Sequence, residues 1–237
     1  MNIAVILAGG SGVRMGNDLP KQFLKLGDRL VIEHTIDAFE QNEGIDRIVV
    51  VCREDTILRI RQLVENRRYK KVTDVLRGGQ ERYHSSLAAI GVVENNEDKL
   101  LFHDAVRPLV SQRIIDDCIE ALGKYRAVDV AIKSADTIIR VDENDMIVDI
   151  PVRASLRCGQ TPQGFHAGVI RRAYKLALED PCFQTTDDCG VVKRYLPQEP
   201  IFVIEGENVN MKLTYREDLP LLEQYYYSQH IQHDGMQ

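Results

Sequence analysis

The chain has no excess of positive charge: 30 lysines and arginines stand against 36 aspartates and glutamates, for a formal net charge of -6. No global basic field therefore exists to hold nucleic acid or an anionic membrane surface, and any bound anion must be met by a local cluster of cations. Cysteine is sparse and unpatterned. Its five positions (Cys52, Cys118, Cys158, Cys182, Cys189) are odd in number, widely spread and without a CxxC pair, which argues against a disulfide framework or a zinc site. Reduced, mostly buried thiols are expected. Long hydrophobic runs are missing too: the apolar opening is short, has no basic region before it and runs straight into glycines, unlike a signal peptide or a transmembrane helix. A cytoplasmic setting is the expectation. Internal repeats, low-complexity tracts and linkers are also lacking, so residues 1–237 are expected to form one domain.

What is present is the composition of a packed globular enzyme, 44% hydrophobic and 28% charged. Runs rich in Val and Ile recur between charges and glycines: "IAVILA", "RIVVVC", "KLLFHDAV", "DVAIKSAD" and "PIFVIEGE". These read as buried strands. Between them, "VIEHTIDAFEQ", "DTILRIRQLVENRRY", "RYHSSLAAIGVVEN", "SQRIIDDCIEALGKY" and "HAGVIRRAYKLALED" repeat apolar residues three and four apart, as amphipathic helices do. The alternation implies a Rossmann-like α/β fold, a mainly parallel sheet with helices on both faces, whose ligand lies beyond the carboxyl ends of the strands. "LAGGSG", "HDAVRP" and "EGENVN" then share one rim. From about Lys133 to Gln160 the alternation fails, and "KSADTIIRVDENDMIVDIPVRASLRCGQ" shows β-like spacing around the turn signal "DENDM". A hairpin arm is expected there. Because a lone two-stranded arm is marginal, it should pack on a partner subunit and make a homodimer. The polar tail after "YYY" is expected to fray.

The densest chemistry follows the first strand. In "LAGGSGVRMG" the loop over Leu7, Ala8, Gly9, Gly10 and Gly12 lets backbone amides approach an anion closely, and a phosphate suits it. It is not a P-loop, since the GK[ST] ending is missing, and it fits G-x-G-x-x-G poorly. Glu54 or Asp55 in "VVVCRED" could still serve as the acidic residue of a dinucleotide site, which keeps an NAD-dependent dehydrogenase open as an alternative. Arg14 and then Lys21 in "LPKQF" add two cations, more than a diphosphate bridge needs but suited to a triphosphate whose charge redistributes during transfer. Asp104, ending the apolar "KLLFHD", can meet a hard cation such as Mg2+ carried by nucleotide phosphates, with a helix cap as the plainer alternative. His103 reads as a structural neighbour rather than a base.

The motifs "LAGGSGVRMG", "PKQF", "GGQERYHSS", "HDAVRP", "GQTPQGF", "TTDDCG" and "NVNMKLTYREDL", in this order from about Ile3 to Leu222, resemble those of the cytidylyltransferases that couple CTP to polyol phosphates. That family includes ribitol-5-phosphate and 2-C-methyl-D-erythritol 4-phosphate cytidylyltransferases, and the resemblance implies a fold of the nucleotide-diphospho-sugar transferase type. It also implies that Gly78, Gly79, Arg82 and Ser86 hold cytosine and ribose, and that Lys212 joins Arg14 and Lys21 around the CTP phosphates. Arg107, Thr137, Arg153, Thr161 and Thr186 match positions that hold the polyol phosphate, Arg153 coming from the partner subunit; Arg107 could instead orient the Asp104 loop. There is one departure. Some members carry a second metal-binding carboxylate just before the Asn of the last motif, where this chain has Asn208 and Val209 ahead of Asn210, leaving Asp104 with phosphates and water.

The implied reaction is in-line attack of the acceptor's phosphate oxygen on the α-phosphate of CTP, giving a CDP-polyol and pyrophosphate. A phosphate is already ionised at neutral pH, so no general base and no Ser-His-Asp or Cys-His set is required. "HDAVRP", "IPVR", and "GQTPQ" without a preceding Leu-Trp pair favour D-ribitol 5-phosphate, a precursor of cell-wall or capsule polymers, as acceptor. The alternative is 2-C-methyl-D-erythritol 4-phosphate, of isoprenoid precursor synthesis. A nucleotide-binding regulator without turnover is more remote, because Arg14, Lys21, Asp104 and Lys212 are all present.

Overall fold

Strand β1 (Asn2–Ala8) is apolar and buried from Ile3 to Ala8, which requires cover on both faces. The computed structural model, which describes residues 1–10 and 19–234, provides it. β1 is an interior strand of a seven-stranded sheet, paired in parallel with β4 (Arg47–Cys52) on one side and β6 (Lys99–Asp104) on the other. β5 (Val72–Arg77) continues the sheet beyond β4. Beyond β6 come β10 (Arg157–His166), β7 (Ala127–Lys133) and β11 (Phe202–Glu205), for an order of β11-β7-β10-β6-β1-β4-β5. Only β10 runs against its neighbours. Two small hairpins lie outside this sheet, β2 (Lys25–Leu26) with β3 (Arg29–Leu30), and β8 (Arg140–Val141) with β9 (Ile147–Asp149).

Alternate residues of each central strand enter opposite cores. Ala4, Ile6, Ile48 and Val50 pack with α1 (Val31–Gln41), α2 (Ile57–Arg67) and α4 (Gln112–Ala121) through Ile36, Phe39, Ile60 and Ile115. Ile3, Val5, Val49 and Val51 pack with α3 (Arg82–Gly91), α5 (Ala167–Leu178) and α6 (Asp188–Tyr195) through Ile90, Ile170, Tyr174 and Val192. The period of two along the strands and of three to four along the helices thus builds helical layers on both faces. The last helix, α7 (Asp218–Asp234), buries Leu222 in a third cluster with Leu26 and Leu213. No helix among the described residues is long and apolar enough to cross a membrane.

Three features depart from the sequence reading. β5 and β10 are strands without a run of Val and Ile; β10 reads "RCGQTPQGFH" and is held by pairing on both sides rather than by its own propensity. The arm is correspondingly shorter, because Lys133 ends β7 opposite Arg157 at the start of β10, leaving only 134–156 outside the main sheet. The tail expected to fray is helical as far as Asp234.

Asp129 on β7 is a carboxylate among these packed layers. Burial pushes its carboxyl up to about 6, aided by Asp187 and opposed by a hydrogen bond from Gln163 Nε2 at 3.1 Å. A folded-state value above the unfolded one means that this group's contribution to stability is full below the unfolded value and is lost as pH rises through about 6. Urea unfolding at about pH 4 and about pH 7 should therefore show Asp129→Asn gaining about 2 kcal/mol on the parent across that interval. A constant difference between the two proteins at both pH values would show that the Asp129 carboxyl titrates normally.

Candidate active site

The carboxyl ends of β1, β4, β5 and β6 open into a cavity of about 820 Å³. Leu7, Ala8, Gly9, Gly10, Lys21, Gly79, Arg82, Asp104 and Lys212, all singled out from the sequence, line it. Gly12 and Arg14 lie outside the described residues. Gly78 lines it as well, and its lack of a side chain is required, since a Cβ there would fall 2.4 Å from Ser85 Oγ. Ser85, which the sequence reading did not select, faces the cavity, whereas Ser86 is fully buried. Both serines occupy the second turn of α3, and spacing alone could not tell which one borders the cavity.

Asp104, the last residue of β6, is held from several directions. Its Oδ2 lies 2.9 Å from Lys212 Nζ and 3.5 Å from Arg107 Nε. Burial by itself would push the carboxyl up, but Lys212, Arg82 and Arg107 together outweigh it and hold it down at about 2. Its backbone N–H donates to Thr161 Oγ1 at 3.2 Å. Thr161 in turn meets His103 Nδ1 at 2.9 Å, while His103 Nε2 lies 3.1 Å from the Arg107 carbonyl. A carbonyl can only accept, so Nε2 carries the imidazole proton and Nδ1 accepts the Thr161 hydroxyl. Burial pushes His103 down to about 4, so at neutral pH it is an uncharged spacer and not a base.

This relay gives two acceptor candidates an internal task. The Thr161 hydroxyl donates to His103 and accepts from Asp104, and the residue is 5% exposed. Arg107, also buried, donates through Nη1 to the Asn210 carbonyl at 2.8 Å, which matches its alternative role of orienting the Asp104 loop. Thr137, Arg153 and Thr186 are exposed and do not line the cavity; Arg153 Nη1 reaches the Ala135 carbonyl at 3.2 Å.

Lys21 and Lys212 approach from separate segments that the fold ties together. Lys21 begins a short 3-10 turn after Pro20 and donates to the Thr214 carbonyl. The segment before Lys212 is stapled to β10, where Asn210 Nδ2 donates to the Thr161 carbonyl at 2.8 Å and Gln160 Nε2 to the Glu207 carbonyl at 2.8 Å. Leu213 N donates to the Val106 carbonyl at 2.9 Å, which sets Lys212 over Asp104. Gln160 and Thr161 occur where the register between β10 and β7 shifts, and Gln163 resumes it opposite Asp129.

No group of three or more His, Cys, Asp or Glu side chains able to hold a metal occurs among the described residues. The carboxylate nearest Asn210, Glu207, already accepts from Arg113 Nε at 2.9 Å and Ser111 Oγ at 3.0 Å. Among the described residues, therefore, no protein-only cage is built. One carboxylate held ionised beside a cavity large enough for a nucleotide instead fits a hard divalent ion that brings its other ligands from nucleotide phosphates and water.

A glycine-lined rim with lysines and one buried carboxylate at the carboxyl edge of a mainly parallel sheet defines a nucleotidyltransferase. The family model described as IspD, 2-C-methyl-D-erythritol 4-phosphate cytidylyltransferase, matches residues 2–228, and the chain belongs to that family of cytidylyltransferases, with CTP as nucleotide substrate. It is 44% identical to the 2-C-methyl-D-erythritol 4-phosphate cytidylyltransferase of Thermobifida fusca, over 93% of this chain and 91% of that protein. It is 40% identical to the bifunctional ribulose 5-phosphate reductase/CDP-ribitol pyrophosphorylase of Haemophilus influenzae, over 96% of this chain and 48% of that protein. Among solved structures, the 4-diphosphocytidyl-2C-methyl-D-erythritol synthase of Anaerococcus prevotii superposes with a TM-score of 0.84 at 30% identity, over 95% of this chain and 96% of that one. The dehydrogenase alternative falls with this assignment, and Glu54 and Asp55 are taken up by ion pairs with Arg77 and Arg53.

The relay through Thr161 can be measured without substrate. Thr161→Val leaves the buried Asp104 N–H without its partner, and urea unfolding should show a loss of about 1–3 kcal/mol, with Thr161→Ser close to the parent. Equal stability of the valine variant and the parent would mean that the hydroxyl does not hold Asp104.

Proposed function

We propose that the chain transfers CMP from CTP to 2-C-methyl-D-erythritol 4-phosphate, releasing pyrophosphate. The observation that carries the transfer chemistry is the Asp104 carboxylate, held ionised opposite Lys212 in a cavity lined by Gly9, Gly10 and Lys21. The acceptor reading rests on the family model and on the 44% identity to the Thermobifida fusca protein. D-Ribitol 5-phosphate, favoured by the details of "HDAVRP", "IPVR" and "GQTPQ", is the second reading, supported by 40% identity to the Haemophilus influenzae CDP-ribitol pyrophosphorylase.

In this mechanism an ionised oxygen of the acceptor phosphate attacks the α-phosphorus of CTP, and the bond to the pyrophosphate oxygen breaks with its electron pair leaving on pyrophosphate. Arg14, Lys21 and Lys212 neutralise the charge that grows on the α-phosphate and on the leaving group. The glycine loop over Leu7 to Gly12 wraps the phosphates, and Gly79 and Arg82 belong to the wall that takes cytosine and ribose, with Ser85 on the cavity face and Ser86 buried behind it. Asp104 would hold Mg2+, which supplies Lewis-acid neutralisation of phosphate charge when bound. His103, neutral and enclosed, takes no proton from the acceptor.

The acceptor site is completed in this reading by Arg107, Thr137, Thr161, Thr186 and the Arg153 of a second subunit. Support comes from the arm, where Ile138, Ile139, Val141, Met146, Ile147, Val148, Ile150 and Val152 are all exposed in the single chain. A second copy that covers this arm would remove the patch from water and bring Arg153 to its neighbour's cavity.

Pyrophosphate release from CTP and Mg2+, with the two acceptors run in parallel, should give a kcat/KM at least about tenfold higher for 2-C-methyl-D-erythritol 4-phosphate than for D-ribitol 5-phosphate. The reverse ratio would transfer the enzyme to the ribitol reading. For the arm, inactive Arg153→Ala and inactive Lys212→Ala chains, mixed and refolded together, should regain about a quarter of wild-type activity, since half the dimers then carry one intact site of two. No recovery would mean that Arg153 serves its own subunit.

A further inference from the structure

Asp188, the first residue of α6, has no solvent exposure and no part in the mechanism above. Its carboxylate gathers two other helices: Oδ2 accepts from Arg82 Nη1 at 2.5 Å and Oδ1 from the Tyr174 hydroxyl at 2.5 Å. Its backbone N–H donates to Gln163 Oε1 at 3.1 Å, which ties the same residue to β10. The Asp188 carboxylate is fully buried and the Arg82 side chain 25% exposed, and an ion pair so placed contributes little net stability compared with well-packed apolar groups, so what it supplies most clearly is a fixed direction for the guanidinium. Arg82 begins α3 and lines the cavity. Among the described residues, Asp188 is the side chain that Arg82 hydrogen-bonds.

The other side of Asp188 is the loop that carries Thr186. Thr185 Oγ1 donates to the Asp187 carbonyl at 2.6 Å, and the Asp187 side chain caps α6 by accepting from Gly190 N at 2.6 Å. Asp188 follows directly, so the residue that anchors Arg82 on the nucleotide side also closes the segment assigned to the acceptor.

We infer that Asp188 is a positioning residue that sets the Arg82 guanidinium against bound CTP and links that setting to the Thr185–Asp187 loop. The inference rests on the proposed reading of the cavity as the CTP site. Asp188→Asn removes the carboxylate that Arg82 hydrogen-bonds and should raise the KM for CTP about tenfold, with a smaller change in kcat. Arg82→Gln should do the same, and the double variant Arg82→Gln/Asp188→Asn should be no worse than Arg82→Gln alone, because the aspartate acts through the arginine. Tyr174→Phe, which leaves the ion pair in place, should lower the melting temperature with the KM for CTP unchanged.

Effects of Asp188→Asn and Arg82→Gln on CTP that simply add, or an Asp188→Asn protein with a lower melting temperature and a wild-type KM, would overturn the inference. Should Asp188→Asn fail to fold, Asp188→Glu keeps the charge but displaces it by one methylene; a raised KM for CTP at near-parental melting temperature supports the role, and an unchanged KM overturns it. Calorimetric titration of CTP into the unsubstituted protein separates the two levels. No binding there would refute the nucleotide reading of the cavity, whereas normal binding that Asp188→Asn leaves untouched would refute the role of Asp188 alone.

Discussion

The carboxylate of Asp104 has to stay ionised at the end of a strand buried on both faces, and much of the site is arranged around that demand. Burial works against the charge. Lys212, Arg82 and Arg107 reverse the balance, and each is delivered by a different part of the chain: the segment after β11, the start of α3, and the turn after β6. The side chain is thus fixed by tertiary structure, whereas its backbone is fixed by the Thr161–His103 relay from β10. Loss of the Thr161 hydroxyl would leave a buried N–H unpaired, and loss of a cation would tip the balance back towards burial, which is costly in a way that loss of an exposed ion pair is not.

The same arrangement explains how a chain with a formal net charge of -6 can hold a polyanion. Anion binding is local. Lys21, Arg53, Arg77, Arg82 and Lys212 line the cavity together with Gly9, Gly10, Gly78 and Gly79, and they outnumber its acidic residues Glu54, Asp55, Glu81 and Asp104. Lys212 is half-exposed and shares Asp104, so its ammonium stands at the boundary between protein and ligand. A strongly basic surface would have served the same phosphates less selectively, by attracting any nucleic acid or anionic surface.

Most of the scaffold was legible in the sequence because its signals are local. The runs "IAVILA" and "RIVVVC" can only be buried strands, and "VIEHTIDAFEQ" matches α1 from Val31 to Gln41. β10 was not legible, since Gly159, Gln160, Pro162 and Gly164 carry no strand signal and the segment is held by β6 and β7. That miss lengthened the arm and hid the tasks of Gln160 and Thr161. Nor could spacing distinguish Ser85 from Ser86, because adjacent helical residues differ in exposure only once the neighbouring elements are in place. Asp188 was visible within "TTDDCG", but its pairing with Arg82 spans 106 positions of sequence and follows only from the packing of α3 against α5 and α6.

The proposed transfer needs no general base, and the surroundings of His103 agree with that. A transfer whose nucleophile is already ionised asks for rigid placement of charge more than for a proton acceptor. His103, next to Asp104, is buried, and burial holds it neutral with both ring nitrogens engaged, Nε2 on the Arg107 carbonyl and Nδ1 on Thr161. An imidazole in that position transmits geometry from one backbone to another. A cation there would stand beside Arg107, so burial and Arg107 together hold His103 neutral, while Lys212, Arg82 and Arg107 hold its neighbour Asp104 ionised against the same burial.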